Sequence, residues 1–204
     1  MQPQLVLASQ SPRRRELLMQ LGVPFLQKPA DVPEAPQPGE PAHDYARRIA
    51  LAKARRGAEL AGPRLPVLGA DTDVVVDGEI LGKPRSPAHA LEMLARLSGR
   101  SHEVCSAVAI VHRGREAVRL SVTEVQFGEI GPGQAQAYCA SGEPLDKAGA
   151  YAIQGRGAAF VRSIRGSYSG VVGLPLYETA ELLREFGIEV LASSRVSRLP
   201  SAGA

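Results

Sequence analysis

The chain has 204 residues, 44% hydrophobic and 22% charged, with a net charge of +3, which is ordinary globular material with enough length to bury a core. No apolar run approaches the ~20 residues of a membrane span, and four Phe, five Tyr and no Trp leave little aromatic surface on which bases could stack. Membrane and nucleic-acid binding are therefore not expected, while mild basicity suits a small polyanionic ligand.

The first apolar run, Leu5–Ala8, reads as a strand, and Ser11-Pro12 opens a helix with Ser11 as N-cap and Pro12 at the first helical position. Leu17, Leu18 and Leu21 give that helix an apolar face and Gly22 ends it. Arg13, Arg14 and Arg15 occupy its first turn, the positive end of the helix dipole, where cations are misplaced unless an anion is held there. A solvated basic turn is the competing reading. A Pro-rich loop from Pro29 to Pro41 carries Glu34; long loops are either linkers or functional. Asp44 to Arg56 reads as a helix ended by Gly57, with Lys53 inside the arc of Tyr45, Ala46, Ile49 and Ala50. Such a lysine either snorkels or aims into a cleft.

Leu65 to Val76 reads as buried strand on both sides of Asp71. An unpaired buried carboxylate is strongly disfavoured, so Asp71 needs donors, a cation or a reactant, unless the Gly69-Ala70 pair breaks the strand and Asp71 caps a loop. Asp73 is expected at the surface. Asp77-Gly78 turns into Glu79–Leu81. Ser86-Pro87 starts a structural helix ending at Ser98-Gly99, strands follow at Glu103–His112 and Ala117–Phe127, and Pro132–Ala140 is a short helix. The stretch Glu143–Gly157 is a glycine-rich loop in which Lys147, Gln154 and Arg156 offer polar groups. A strand at Phe160–Ile164, a turn at Gly166–Gly170 and an amphipathic helix at Leu176–Phe186 complete the pattern; residues 193–204 are expected as a disordered tail to a two-lobed domain spanning 1–192.

Cys105 and Cys139 lie in unlike contexts, and both are expected to be reduced core residues of a cytosolic protein. The N-terminus lacks the basic region and long apolar run of a secretory signal. Histidines 43, 89, 102 and 112 are scattered, no histidine–cysteine group has zinc spacing, and neither a Gly-x-Ser-x-Gly elbow nor a P-loop is present.

Several stretches taken together, in this order along residues 4 to 188, resemble the Maf family of nucleoside triphosphate pyrophosphatases, also called septum-formation-inhibitor-like proteins. They are Ala8-Ser9-Gln10-Ser11-Pro12-Arg13-Arg14, Gly69-Ala70-Asp71-Thr72, Gly82-Lys83-Pro84, Leu97-Ser98-Gly99-Arg100, Asp146–Tyr151 with Ile153-Gln154-Gly155, and Val172-Gly173-Leu174-Pro175. The resemblance implies an α/β fold: an elongated mixed β-sheet with flanking helices, in two lobes around a nucleotide-binding cleft. It implies hydrolysis of a nucleoside triphosphate to monophosphate and pyrophosphate with Mg²⁺ or Mn²⁺, a homodimer, and a cytoplasmic location.

By the same resemblance Asp71 is the proton acceptor and Glu34 is the acidic loop position; a hard ion that keeps several waters needs one or two carboxylates, and Glu34 and Asp71 are the economical pair to hold it. Ser9, Ser11, Arg14, Lys53 and Lys83 face the phosphates. Arg13, Thr72 and Gln154 match the subgroup acting on dTTP, UTP and modified pyrimidine nucleotides rather than the one resembling 7-methyl-GTP pyrophosphatases. Ala152 departs from the family's frequent glycine. A non-catalytic, nucleotide-sensing regulator of septation is the competing function; it predicts binding without pyrophosphate release.

Overall fold

A computed structural model describes residues 2–191, and the expected tail lies outside them. The elements run β1 (Leu5–Leu7), α1 (Pro12–Gln20), β2 (Phe25–Gln27), α2 (Ala42–Ala61), β3 (Val67–Val76), β4 (Glu79–Leu81), α3 (Pro87–Leu97), β5 (Ser101–His112), β6 (Arg115–Phe127), α4 (Pro132–Ala140), β7 (Val161–Arg165), α5 (Tyr168–Val172) and α6 (Leu176–Glu185). The strands form one mixed sheet in the order β2-β1-β3-β5-β6-β7, with β4 added to β3. Strands β2, β1 and β3 are parallel, and β3 to β7 pair antiparallel.

The local signals act as their chemistry dictates. The Ser11 hydroxyl accepts from the Arg14 N–H at 3.4 Å, and Ser86 caps α3 by accepting from His89 at 3.1 Å. Asp77-Gly78 and Arg113-Gly114 both take positive φ at each residue, the geometry of a tight two-residue hairpin.

Two expectations need correction. Helix α2 does not stop at Gly57 but runs on to Ala61 and ends at Gly62, φ +77°. Gly57 is there for contact: a Cβ on it would sit 2.6 Å from the Ala8 Cβ and 2.8 Å from Val67. The expected turn at Gly166–Gly170 contains instead the start of α5, capped by Ser167 accepting from Gly170 at 3.0 Å. A single helical turn carries no periodicity from which it could be read.

Strand β3 positions everything else. Along one edge it pairs with β5 from Val67 to Val75. Along the other edge β1 takes only Val67 and Leu68, and β4 takes Val74 to Val76. Among the described residues, no strand lies beside 69–73 on that edge. The large apolar clusters flank this gap: one around Leu68, Ala70, Ile110, Leu174 and Leu183, the other around Val74, Val76, Leu94, Val125 and Phe127. Helix α2 covers the opposite face through Ala46, Ala50 and Ala54 against Cys105, Ala107 and Ala109.

Candidate active site

A cleft of about 700 Å³ opens onto the uncovered edge of β3. Gly69 explains how α2 reaches it. A Cβ there would lie 2.4 Å from the Ala50 carbonyl oxygen and 2.4 Å from the Ala54 nitrogen, so glycine lets the helix backbone lie directly on the strand. Strand β3 is continuous through Gly69-Ala70, and Asp71 is a mid-strand carboxylate, not a loop cap.

From α2, Lys53 reaches over that contact. Its ammonium donates to Asp71 Oδ1 at 2.7 Å and lies 2.6 Å from Glu34 Oε1. Lys53 is 8% exposed and Asp71 5%, so the lysine aims into the cleft and does not snorkel. Burial pushes Glu34 upward, but the Lys53 hydrogen bond and the charges of Lys53, Lys83 and Arg14 more than offset it and leave its pKa lowered. The Pro-rich loop is thereby tied down at Glu34, and again at Glu40, which accepts two 2.6 Å hydrogen bonds from Arg48.

The other wall is the β1–α1 turn. Ser9 is buried and its hydroxyl accepts from the Ser11 N–H at 3.2 Å. The three arginines divide. Arg14 donates to the Gly173 carbonyl at 2.9 Å and to the Thr72 hydroxyl at 3.3 Å. Desolvation lowers its pKa against the opposing pull of Asp71, Glu34 and Asp73. Arg13 lies 3.8 Å from Asp146, and Arg15 is exposed and outside the cleft. Thr72 faces away from Asp71, as strand alternation requires, and its hydroxyl lies 3.0 Å from Ser106.

The far rim is the Glu143–Gly157 loop, which forms short 3₁₀ turns at Glu143–Asp146, Ala148–Ala150 and Arg156–Phe160. Glu143 organises it, accepting from the Tyr138 hydroxyl at 2.8 Å, Arg156 N–H at 3.0 Å and Gly157 N–H at 3.1 Å. Lys147 and Gln154 line the cleft; Arg156 does not.

All ten residues to which the resemblance assigns a role, Ser9, Ser11, Arg13, Arg14, Glu34, Lys53, Asp71, Thr72, Lys83 and Gln154, line this one cleft. Residues 4–186 match a family model described as Maf-like protein. The chain belongs to the Maf family. A Methylococcus capsulatus protein named dTTP/UTP pyrophosphatase is 55% identical over 90% of this chain and 91% of its own length. One of the same name from Nitrosomonas europaea is 53% identical over 91% and 96%, and one from Yersinia pestis is 52% identical over 89% and 92%. Among solved structures, the Staphylococcus aureus Ham1 protein is 15% identical over 90% of this chain and 97% of that one, with a TM-score of 0.46.

This Maf-like chain holds one cleft residue that the sequence placed wrongly. Asp73, expected at the surface, is 7% exposed, and its Oδ2 is buried without a hydrogen-bond partner among the described residues. Alternation puts it on the Asp71 side of β3; the cover that buries it is α2, and no spacing in the strand announces that. Burial raises its pKa well above the carboxylate range, helped by the charge of Asp71 and a hydrogen bond to it. Tyr45, read as core, also borders the cleft, its phenol raised by burial and by Asp73, Asp71 and Glu34.

Glu34 and Asp71 flank the Lys53 ammonium, and Asp73 lines the same cleft. Two hard oxygen donors on either side of one position suit Mg²⁺ or Mn²⁺, which keeps several waters, so Glu34 and Asp71 fit the divalent ion that the resemblance implies.

Proposed function

We propose that this cleft hydrolyses dTTP and UTP to the nucleoside monophosphate and pyrophosphate. The observation that carries the reading is the Lys53 ammonium seated between Asp71 and Glu34 in a cleft that Arg14 also lines. A triphosphate brings about four negative charges, and hydrolysis adds charge to the leaving pyrophosphate. Arg14, Lys53 and Lys83 supply fixed positive charge where it develops, and the Ser9–Ser11 turn at the start of α1 adds hydroxyl and N–H donors.

Asp71 accepts the proton of the attacking water. The water oxygen bonds to the α-phosphorus, the bond from that phosphorus to the bridging oxygen breaks, and pyrophosphate leaves. Lys53 orients Asp71 and offsets its repulsion from Glu34. Glu34 and Asp71 would hold the divalent ion, which when bound supplies charge neutralisation and acidifies water. Arg13, Thr72 and Gln154 set base preference, with Thr72 acting through Arg14, whose guanidinium it helps hold. The resemblance further carries a homodimer and a cytoplasmic setting; among the described residues no helix is long and apolar enough to cross a membrane.

The test is pyrophosphate release, with Mg²⁺, from dTTP, UTP, CTP, ATP, GTP, ITP and 7-methyl-GTP, with Asp71→Asn as control. Release confined to dTTP and UTP and lost in the variant is expected. Tight binding without release in any lane would overturn catalysis, and preference for 7-methyl-GTP or ITP would overturn the base assignment.

A further inference from the structure

The sequence offers no zinc-spaced histidine–cysteine group, yet the fold assembles a trio from distant parts of the chain. Glu103 and Cys105 alternate along β5 and share one of its faces. That face is covered by α2, whose first turn carries His43. His43 Nε2 lies 3.3 Å from Glu103 Oε2. Imidazole nitrogen, carboxylate oxygen and thiol sulfur all lie within 4.8 Å of one another. Among the described residues no other trio of His, Cys, Asp or Glu side chains meets that spacing.

We propose that His43, Glu103 and Cys105 form a site for a transition ion of the Zn²⁺ class, with water as fourth ligand. The donor set decides the class: one sulfur, one nitrogen and one oxygen suit Zn²⁺ and its neighbours, whereas Mg²⁺ and Ca²⁺ take oxygen alone. Tetrahedral ligation at about 2.0–2.3 Å puts donor atoms about 3.3–3.8 Å apart. The imidazole–carboxylate pair already has that separation, and the sulfur needs to approach by about an ångström. His43 and Glu103 side chains are 45% and 50% exposed while Cys105 is fully buried, so the ion has an entry from solvent and water has a coordination position. On binding, the thiol proton passes to solvent, the sulfur bonds the ion, and neutral imidazole and ionised carboxylate complete the set. Thiolate and carboxylate together cancel the dication's charge.

Without an ion the thiol has no chemistry of its own. Burial, with the charges of Glu103 and Asp73, pushes it up to about 12, out of reach of nucleophilic or redox use. None of the three residues lines the nucleotide cleft, although Cys105 is the cross-strand partner of Asp73. The site is separate from the hard-cation position, and it ties the start of α2 to β5.

The experiment titrates the full chain with Co²⁺ as a spectroscopic stand-in for Zn²⁺, in excess Mg²⁺, and reads thiolate-to-cobalt charge transfer in the near ultraviolet. One equivalent should develop the band, and Zn²⁺ should displace it. The band should persist in Cys139→Ala and Asp71→Asn and vanish in Cys105→Ala. His43→Ala and Glu103→Gln change half-exposed positions, so they test the site independently of core packing. Each should weaken Co²⁺ binding by at least roughly tenfold, the smallest loss seen even for a supporting contact. Zn²⁺ should raise the melting temperature of wild type and not of His43→Ala. Absence of the band in wild type, its survival in Cys105→Ala, or unchanged affinity in both His43→Ala and Glu103→Gln would overturn the proposal.

Discussion

The two faces of β3 and β5 are packed in opposite ways. On one, α1, α5 and α6 bring leucines and valine onto Leu68, Ala70, Val108 and Ile110. On the other, α2 brings alanines onto alanines, with Gly57 and Gly69 at the points of closest approach. The leucine face is thick and supplies hydrophobic stabilisation, about 25 cal/mol per Å² of apolar surface removed from water. The alanine face is thin. It buries less per residue, but it brings the α2 backbone near enough for Lys53 to meet Asp71. The thick packing and the Lys53–Asp71 contact thus lie on different sides of the same two strands.

The largest effect belongs to the thin face. Asp71→Asn should lower kcat by about 10²–10⁴-fold, the usual contribution of a general base, with the melting transition kept. Near-wild-type turnover would remove the proton-acceptor role. Gly69→Ala comes next, and it is compared with Leu183→Ala on the thick face. The alanine Cβ at Gly69 meets the α2 backbone at Ala50 and at Ala54, so α2 must lift. A shift of about an ångström can cost ~10²-fold in rate. Leu183, fully buried among the leucines, should instead cost about 2–5 kcal/mol of stability while the folded fraction keeps its specific activity. Denaturation midpoints and active-site-normalised rates on the two variants separate the faces; equal rates per folded molecule would erase the distinction.

A pH comparison is expected to be smaller. His102, on the thick side against Phe127 with its Nε2 2.8 Å from the Tyr151 hydroxyl, is pushed down by burial to about 4 from 6.5. Between those values the unfolded chain binds the extra proton, so stability falls as pH drops through that window. His102→Gln should flatten that limb. Asp73 is raised from its ordinary 3.8. Here the folded state retains a proton that the unfolded chain releases, so stability falls as pH rises above about 4. Asp73→Asn in nucleotide- and metal-free protein should therefore raise the melting temperature more at pH 8 than at pH 4. The same increment at both values would place Asp73 outside this linkage. The smallest change in overall rate is expected from Gln154→Ala, which should reorder dTTP, UTP and CTP without a uniform loss; equal slowing of all three would count against base reading.

What the chain revealed in advance followed from how local each cause was. The α1 cap, the Asp77-Gly78 turn and an acid inside a β-branched run are decided within a few residues. Asp71 stood out because strand on both sides left nowhere to solvate it. Asp73 lies two residues further on the same face, and only the position of α2, contributed from residues 42–61, makes it a buried carboxyl. Gly57 has the same origin: alone it reads as a stop, and only the crossing over Ala8 and Val67 explains it. The gap between β1 and β4 on one edge of β3 is topology, and no motif encodes it.

The Glu143 carboxylate has a consequence for recognition. Three donors converge on it from Tyr138, Arg156 and Gly157, and a side chain at Gly155 would collide with it at 2.4 Å. The rim that carries Gln154 is therefore folded before a base arrives. Ordering a loop residue costs about 1–2 kcal/mol of backbone entropy, and here that cost falls on the folding of the chain and not on the encounter. On the proposed base-reading role of Gln154, a base meets a fixed template, so a mismatched edge finds no compliant loop to remould around it.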